Sequence, residues 1–485
     1  MMSITLALSN ALSGLTASSR MAEVVASNTA NAMTEGYARR EVQLSSQMLG
    51  TNGAGVAVTG VNRAVNETVL QDRRLADASA ENAGKRTDFY SQMEGWLGNP
   101  EEAGSLSTQL SDLEANLVEA ASRPESEVRL TAVLDATKSI TTHLGDTSDN
   151  IQQARMDADK SIASQVSFLN ESLAQIDTLN SNILSLRASG HDASALLDQR
   201  QVLVDQVSTI VPVRQIARDN DQISLVTTGG AFLLESNPVE IGFSAAGTIT
   251  ADMTQDSGAL SGLTINGMDI ATDDDRLMGG GSLGALFSIR DELAPQAQTQ
   301  VDAYARNLIE RFSDPTTDPT LSSGDPGLFT DAGGALDTAN ELGLASRISI
   351  NAIADPDQGG ALWHLRDGLG ATSAGSVGNS QILTSLADAL TAQSTPSSGD
   401  FGASKHSASS LAASLMSEFS SKRQSAEATE SFAAARHETL NEMALADGVD
   451  TDQELQTLLQ VERMYAANAK VMQTVDTLIN TLLEL

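Results

Sequence analysis

Ser282 has the setting in this sequence that most resembles a nucleophile's. Gly280-Gly281-Ser282-Leu283-Gly284 fits G-x-S-x-G, the sharp turn that lifts a serine between a buried strand and a helix to attack a carbonyl. A helical pattern follows, but Asp273-Asp274-Asp275-Arg276 before it does not read as a buried strand. The motif is therefore expected to be a helix-entry turn, with a secreted serine hydrolase only a remote alternative. Asp355-Pro356-Asp357-Gln358-Gly359-Gly360 opens like a calcium loop, yet its twelfth position is Arg366, where a bidentate Glu is required. His143, His191, His364, His406 and His437 have no ligand spacing. No glycine run leads into the Lys-Ser or Lys-Thr of a phosphate loop, and cysteine is absent. No catalytic residue, cofactor or metal is expected, and the chain is not read as an enzyme.

What remains is non-covalent chemistry, and it is concentrated at the two ends. From Ser3 to about Ala32, and again from about Thr451 to Leu485, apolar residues recur at heptad spacing through Pro-free stretches. The front stripe is Ile4, Leu8, Ala11, Leu15, Ala22 and Val25, broken at Ser18 and widened by Leu12 and Met21. At the back, Val461, Met464, Val471, Val475, Leu478, Leu482 and Leu485 form one stripe, interrupted by Asn468. Leu458, Tyr465, Met472 and Ile479 form a second beside it. Each helix carries more apolar surface than one partner helix covers, which points to burial between subunits. Asn28 and Asn31 border the front stripe; they either cap the turn Thr34-Glu35-Gly36-Tyr37 or set register between subunits. Thr451-Asp452-Gln453-Glu454 fits the S/T-x-x-E capping box and is expected to start the last helix.

The chain of 485 residues is too long for one compact core, so several domains are expected. Aromatics make up only 3%, so stability must come from packing aliphatic helices. A net charge of -34 repels nucleic acid and anionic membranes. The N-terminus lacks the basic region of a cleaved secretory signal, and no apolar run is long enough to span a bilayer.

The pattern between the ends predicts a mainly α protein with a β-rich part (α+β), elongated, multidomain and nested. Residues 1–62 and 449–485 pair as a coiled-coil-like inner domain, the first part ending in two short strands, Arg40 to Ser46 and Gly55 to Val61. Residues 63–211, 279–313 and 403–448 read as a helical bundle built in three passes. Residues 212–278, cut by Gly-Gly and Asn-Pro, read as β-hairpins. Residues 314–402 begin with two prolines in a short polar stretch and are rich in Gly, Asp and Ser; they are expected to form a small mixed insert on the outside.

Ala26-Ser27-Asn28-Thr29-Ala30-Asn31-Ala32-Met33-Thr34-Glu35-Gly36-Tyr37, with Arg39, resembles the N-terminal signature of bacterial flagellar axial proteins, roughly A-N-N-I-A-N-x-x-T-x-G-Y. Ser27, Thr29 and Glu35 depart from it. Three further segments resemble the FlgK family of flagellar hook-associated proteins. They are Gly53 to Val61 with Arg63, the helix Leu196-Leu197-Asp198-Gln199-Arg200 with Leu203 and Val204, and the end from Gly448-Val449-Asp450 through Tyr465 and Asn468 to Thr474. The resemblance implies a structural subunit at the hook-filament junction, needed for filament assembly. It implies export by the flagellar type III route with a cytoplasmic chaperone, and a place outside the cell as a ring of copies between the hook protein and the second junction protein. Another axial component, the second junction protein or the hook subunit, is the nearest alternative. The assembly interface is expected on the two stripes together with Asn28, Asn31, Thr34, Gly36 and Tyr37, without nucleic acid or membrane insertion.

Overall fold

The computed structural model describes residues 2–49, 52–99, 102, 104–272 and 277–483. Helix α1 spans Met2–Ala30. It ends where Asn31 turns its side-chain amide back onto the Ser27 carbonyl at 2.9 Å and Gly36 takes φ +73°. The chain then runs extended into an antiparallel hairpin of β1 (Arg40–Leu49) and β2 (Asn52–Arg63), with Arg40 opposite Arg63 and Val42 opposite Val61. Both strands are longer than their alternating cores suggest. Val56 N–H donates to Ser13 Oγ at 3.1 Å, fastening the hairpin to α1.

Helix α2 (Glu67–Leu97) starts at Asn66, whose side chain accepts from Val69 N–H, a cap that satisfies an otherwise orphaned donor. The helical region expected from Ser105 to Arg187 is two helices, α3 (Leu106–Ser122) and α4 (Glu127–Ala188). Arg123-Pro124 breaks it, because the proline ring disfavours helix in the residue before it. At 1.5 Å per residue the 62 residues of α4 extend about 90 Å, the long dimension of the bundle. Helix α5 (Ser194–Ile210) runs antiparallel beside its end.

Strands β3 (Val213–Ala217), β4 (Ile223–Thr227) and β5 (Phe232–Leu234) form one meander. A second contains β6 (Ile241–Gly242), β7 (Leu263–Ile265) and β8 (Met268–Ile270). Helices α6 (Gly281–Ser288) and α7 (Ala294–Phe312) are joined by one π turn over residues 289–293. That turn brings Arg290 to Asp159 at 2.7 Å, a fully buried pair whose guanidinium also lies over the Phe287 ring.

Residues 314–402 contain β9 (Phe329–Asp331), α8 (Leu344–Arg347), β10 (Ile348–Ile350), α9 (Trp363–Asp367) and α10 (Gln381–Thr391), with β9 and β10 antiparallel. This segment lies directly on the bundle. Phe329, Leu344, Ile382 and Leu386 belong to the same buried cluster as Ile140, Leu144 and Phe312. Arg311 of α7 donates to the carbonyls of Ala389, Ala392 and His406, closing the segment at its base.

Helix α11 (Ala408–Ala446) returns along α2. Glu94 meets Arg423 and Asp77 meets His437, so the two helices are antiparallel. Helix α12 (Thr451–Leu483) does the same to α1, with Gly14 against Asn468 and Asn28 against Glu454. The protein is thus mainly helical with small sheets, and each half of the chain supplies one member of both terminal helix pairs. Among the described residues no helix is long and apolar enough to cross a membrane.

Candidate functional site

Ser282 lies in the first turn of α6, buried, with its Oγ accepting from Gln165 Nε2 at 3.0 Å. Its hydroxyl is held by an amide, so the motif is the helix-entry turn expected of it. Asp273–Arg276 lie outside the described residues. At the calcium-like loop, Asp355 accepts from Lys138 Nζ at 2.9 Å, and Asp357 takes the same ammonium at 3.1 Å. A lysine is the cation there. Among the described residues no cluster of His, Cys, Asp or Glu could hold a metal ion.

The α1/α12 pair gathers most of the stripe residues. Val25, Val461 and Val475 are buried, while Ile4, Leu8, Leu15, Met472 and Ile479 are half-buried. At Gly14 the helices approach closely: a Cβ there would stand 2.6 Å from the Asn468 amide nitrogen. Asn468 breaks the apolar stripe where a glycine faces it, so both irregularities serve one close approach. The rest of the stripe faces away from the chain. Leu12 is 55% exposed and Leu478 49%, and Leu458, Met464, Tyr465 and Val471 are exposed with them. Leu459, at 55%, extends the same uncovered surface. The side chain of Leu482, and Leu485 altogether, lie outside the described residues.

Where α1 ends, Asn28 ties four segments together while only 1% exposed. Its Nδ2 donates to the Arg40 carbonyl at 2.9 Å and to Glu454 Oε1 at 3.1 Å. Its Oδ1 accepts from Tyr37 O–H and Arg40 N–H, both at 2.9 Å. Every lone pair and proton of the amide that the site offers is used inside one chain. Asn31 is local, bonded to Ser27 and near the exposed Thr34. The capping-box expectation needs correction by one residue. Asp450, not Thr451, caps α12, with Oδ1 accepting from Asp452 N–H at 2.9 Å and Gln453 N–H at 3.2 Å. Glu454 is thereby released to reach Asn28. Burial pushes its carboxyl up, and the Asn28 bond pulls it partly back.

The connection from this knot to the bundle runs through Asp198 of α5. Its Oδ1 accepts from Arg63 Nε at 2.7 Å and from Ala38 N–H at 3.3 Å, and its Oδ2 accepts from Arg40 Nη2 at 3.2 Å. Both ends of the hairpin are therefore held by one carboxylate. Gly36 packs against the same helix, where a Cβ would stand 2.2 Å from Val202 Cγ2. Two turns further on, Asp205 is grasped by Arg73 and Arg74 of α2. The sequence marks Asp198 only as part of a recognisable helix. Its role shows only once Arg40 and Arg63 are paired across the hairpin, although two arginines flanking an apolar alternation are a signal that some carboxylate must answer.

Two family models match the chain. One, described as flagellar hook-associated protein FlgK helical domain, matches residues 90–328. The other, flagellar basal body rod FlgEFG protein C-terminal, matches residues 446–485. Curated proteins named flagellar hook-associated protein 1 are similar over longer stretches. That of Escherichia coli (strain K12) is 24% identical over 314 residues, 63% of this chain and 56% of the relative. That of Bacillus subtilis (strain 168) is 22% identical over 515 residues, 99% of this chain and 98% of the relative. The chain therefore spans little more than half of the first relative and nearly all of the second. A solved structure of the flagellar hook junction protein FlgK from Burkholderia pseudomallei aligns with TM-score 0.44 at 19% identity, covering 54% of this chain and 46% of that one.

Proposed function

We propose that the chain, whose residues 90–328 match the FlgK helical-domain model and which is similar along nearly its whole length to a flagellar hook-associated protein 1, is a FlgK-family structural subunit joining hook to filament. Copies of it form an annular layer on the hook protein, and the second hook-associated junction protein adds to that layer. It leaves the cell through the type III export apparatus, escorted by a cytoplasmic chaperone that shields its apolar stripes. The observation that carries this reading is the uncovered half of the α1/α12 pair. Leu12, Leu458, Leu459, Tyr465, Val471 and Leu478 remain in water although their helices are already paired. Exposed apolar side chains gathered on one face of a helix pair mark a protein–protein interaction surface. Neighbouring copies supply that cover in a tube whose innermost wall is the terminal helices, while the bundle and the segment 314–402 stand outside it.

Deleting the gene should leave hooks without filaments while flagellin escapes into the medium. A normal filament on such cells refutes the assignment. The match of residues 446–485 to a flagellar basal body rod C-terminal model favours, as second reading, another axial component. Immunolabelling of isolated hook-basal bodies separates the two, because label along the whole hook length indicates the hook subunit.

A further inference from the structure

The start of α2, the end of α4, α5 and the β3–β4 connection enclose a cavity of about 410 Å³. Arg63, Arg74, Arg187, Arg200 and Arg218 all line it, against two carboxylates, Glu67 and Asp221. In a chain with 29 basic and 63 acidic residues, this concentration of positive charge is out of proportion. Three of the five are neutralised: Arg63 by Asp198, Arg74 by Asp205 and Arg187 by Asp221. The other two touch no carboxylate among the described residues. Arg218, at the mouth, donates to the Glu235 carbonyl. Arg200, on the floor and only 6% exposed, donates through Nη1 alone, to Asn180 Oδ1 at 2.8 Å and to the Asp221 carbonyl at 2.6 Å.

A buried guanidinium without an anion is costly, and natural structures pair such charges. Burial, and next the neighbouring Arg63, pull Arg200 down to about 10; Asp221 and Glu67 pull it back, and Arg74 adds to the repulsion. It is a full cation at neutral pH, and its Nε–Nη2 edge makes no hydrogen bond among the described residues. That edge is the one through which arginine takes two oxygens of an anion side by side.

We propose that this cavity is a binding site for a small oxyanion of the phosphate class, held by the free edge of Arg200 on its floor and by Arg218 at its mouth. Occupancy supplies the missing counter-charge and links α4, α5 and the β3–β4 meander. The test is the thermal midpoint of the full chain, titrated with inorganic phosphate against sodium chloride at matched ionic strength. Phosphate should raise the midpoint along a saturating curve, as a ligand of the folded state does, and chloride should not. Arg218→Gln removes an exposed contact without touching the core. It should need at least about fivefold more phosphate for half-saturation, the factor that a single surface charge contact of about 1 kcal/mol provides. Arg200→Lys keeps the charge, loses the two-oxygen edge and should respond still less. Equal responses to the two salts, a phosphate response that rises linearly without saturating, as exclusion of the salt from the protein surface produces, or an Arg218→Gln curve superimposed on the unaltered one would each overturn the proposal.

Discussion

Replacing Asp198 by Asn should loosen the attachment of the terminal layer while leaving the bundle intact. The carboxylate accepts one short bond from Arg63 and longer ones from Arg40 and the Ala38 amide. The substitution keeps the shape, removes the charge facing two guanidinium groups and turns one acceptor into a donor. Hydrogen bonds to charged groups contribute about 1.5–3 kcal/mol, and the Ala38 bond can survive on the remaining oxygen, so the loss should be about 2–3 kcal/mol. That corresponds to a roughly 30- to 150-fold larger population of the locally opened state. Native-state hydrogen exchange reads it directly. The amides of Arg40 and Ala64, which bond Asn28 and the Arg39 carbonyl, should exchange faster by that factor. Amides of α4 near Ile151 and Leu169 should not change. Equal acceleration in α4 would make Asp198 a residue of the global core, and no acceleration anywhere would make its bonds energetically idle. Combining Asp198→Asn with Arg63→Gln should cost clearly less than the sum of the single changes, because both remove the same contact.

Gly36→Ala places a Cβ against Val202 at a positive φ and should cost about 1–3 kcal/mol, seen as a lowered urea midpoint with the same local exchange signature. Leu459→Ser with Leu478→Ser should change the subunit's stability by less than about 1 kcal/mol, since both face solvent, yet abolish incorporation into flagella; normal incorporation would show that this surface is not an interface. Between pH 7.5 and 5.5 the carboxyls of Asp302, Asp77 and Glu454 should stabilise the fold as they protonate, against an opposing loss at His143, which burial holds below its ordinary value. Burial raises Asp302 to about 6 and also raises Asp77 and Glu454, so the folded chain holds these protons more tightly than the unfolded one and gains as they bind. Asp302 alone contributes up to roughly 3 kcal/mol over this range and below it. On further acidification the sign reverses. At Asp355 burial pushes up, but bonds from Gln358 and Lys138 hold the carboxyl below its usual range, and that stability is lost as it protonates. A pH dependence of the thermal midpoint between 7.5 and 5.5 that is the same with and without Asp302→Asn would refute the pH reasoning.

Local periodicity made the terminal helices, the 40–63 hairpin and the 212–278 meanders legible, because each follows from the period at which apolar residues recur. The starting point of α12 was not, since Asp450 and Thr451 are adjacent and both suit an N-cap; what decides is that Glu454 is claimed by Asn28, a partner 426 residues away. The same holds for Asp198 and Asp302. A buried carboxylate shows in the sequence as one more acidic residue among 63, and its partners on other segments are invisible until the chain is folded. The docking of residues 314–402 was hidden for a related reason. Their apolar residues come in short patches between Gly, Asp and Ser, too short to reveal a period, and they are buried one or two at a time against α4 and α7.

The bond between Asn28 and Glu454 joins α1 to α12 across 426 residues of chain. Closing so long a loop directly is slow and entropically expensive, with a cost that grows as the logarithm of its length. The α2/α11 pair shortens it, because once those helices lie side by side only the turns at 31–39 and 447–450 separate α1 from α12. Folding should therefore run outward-in, with the bundle closing first and the end pair zipping up afterwards. Without α12 the bundle keeps its own helices, but Asn28 loses the Glu454 carboxylate that fixes its side chain. The nested order thus makes the α1/α12 pair the last part of the fold to close, and makes the placement of Asn28 depend on a helix hundreds of residues away.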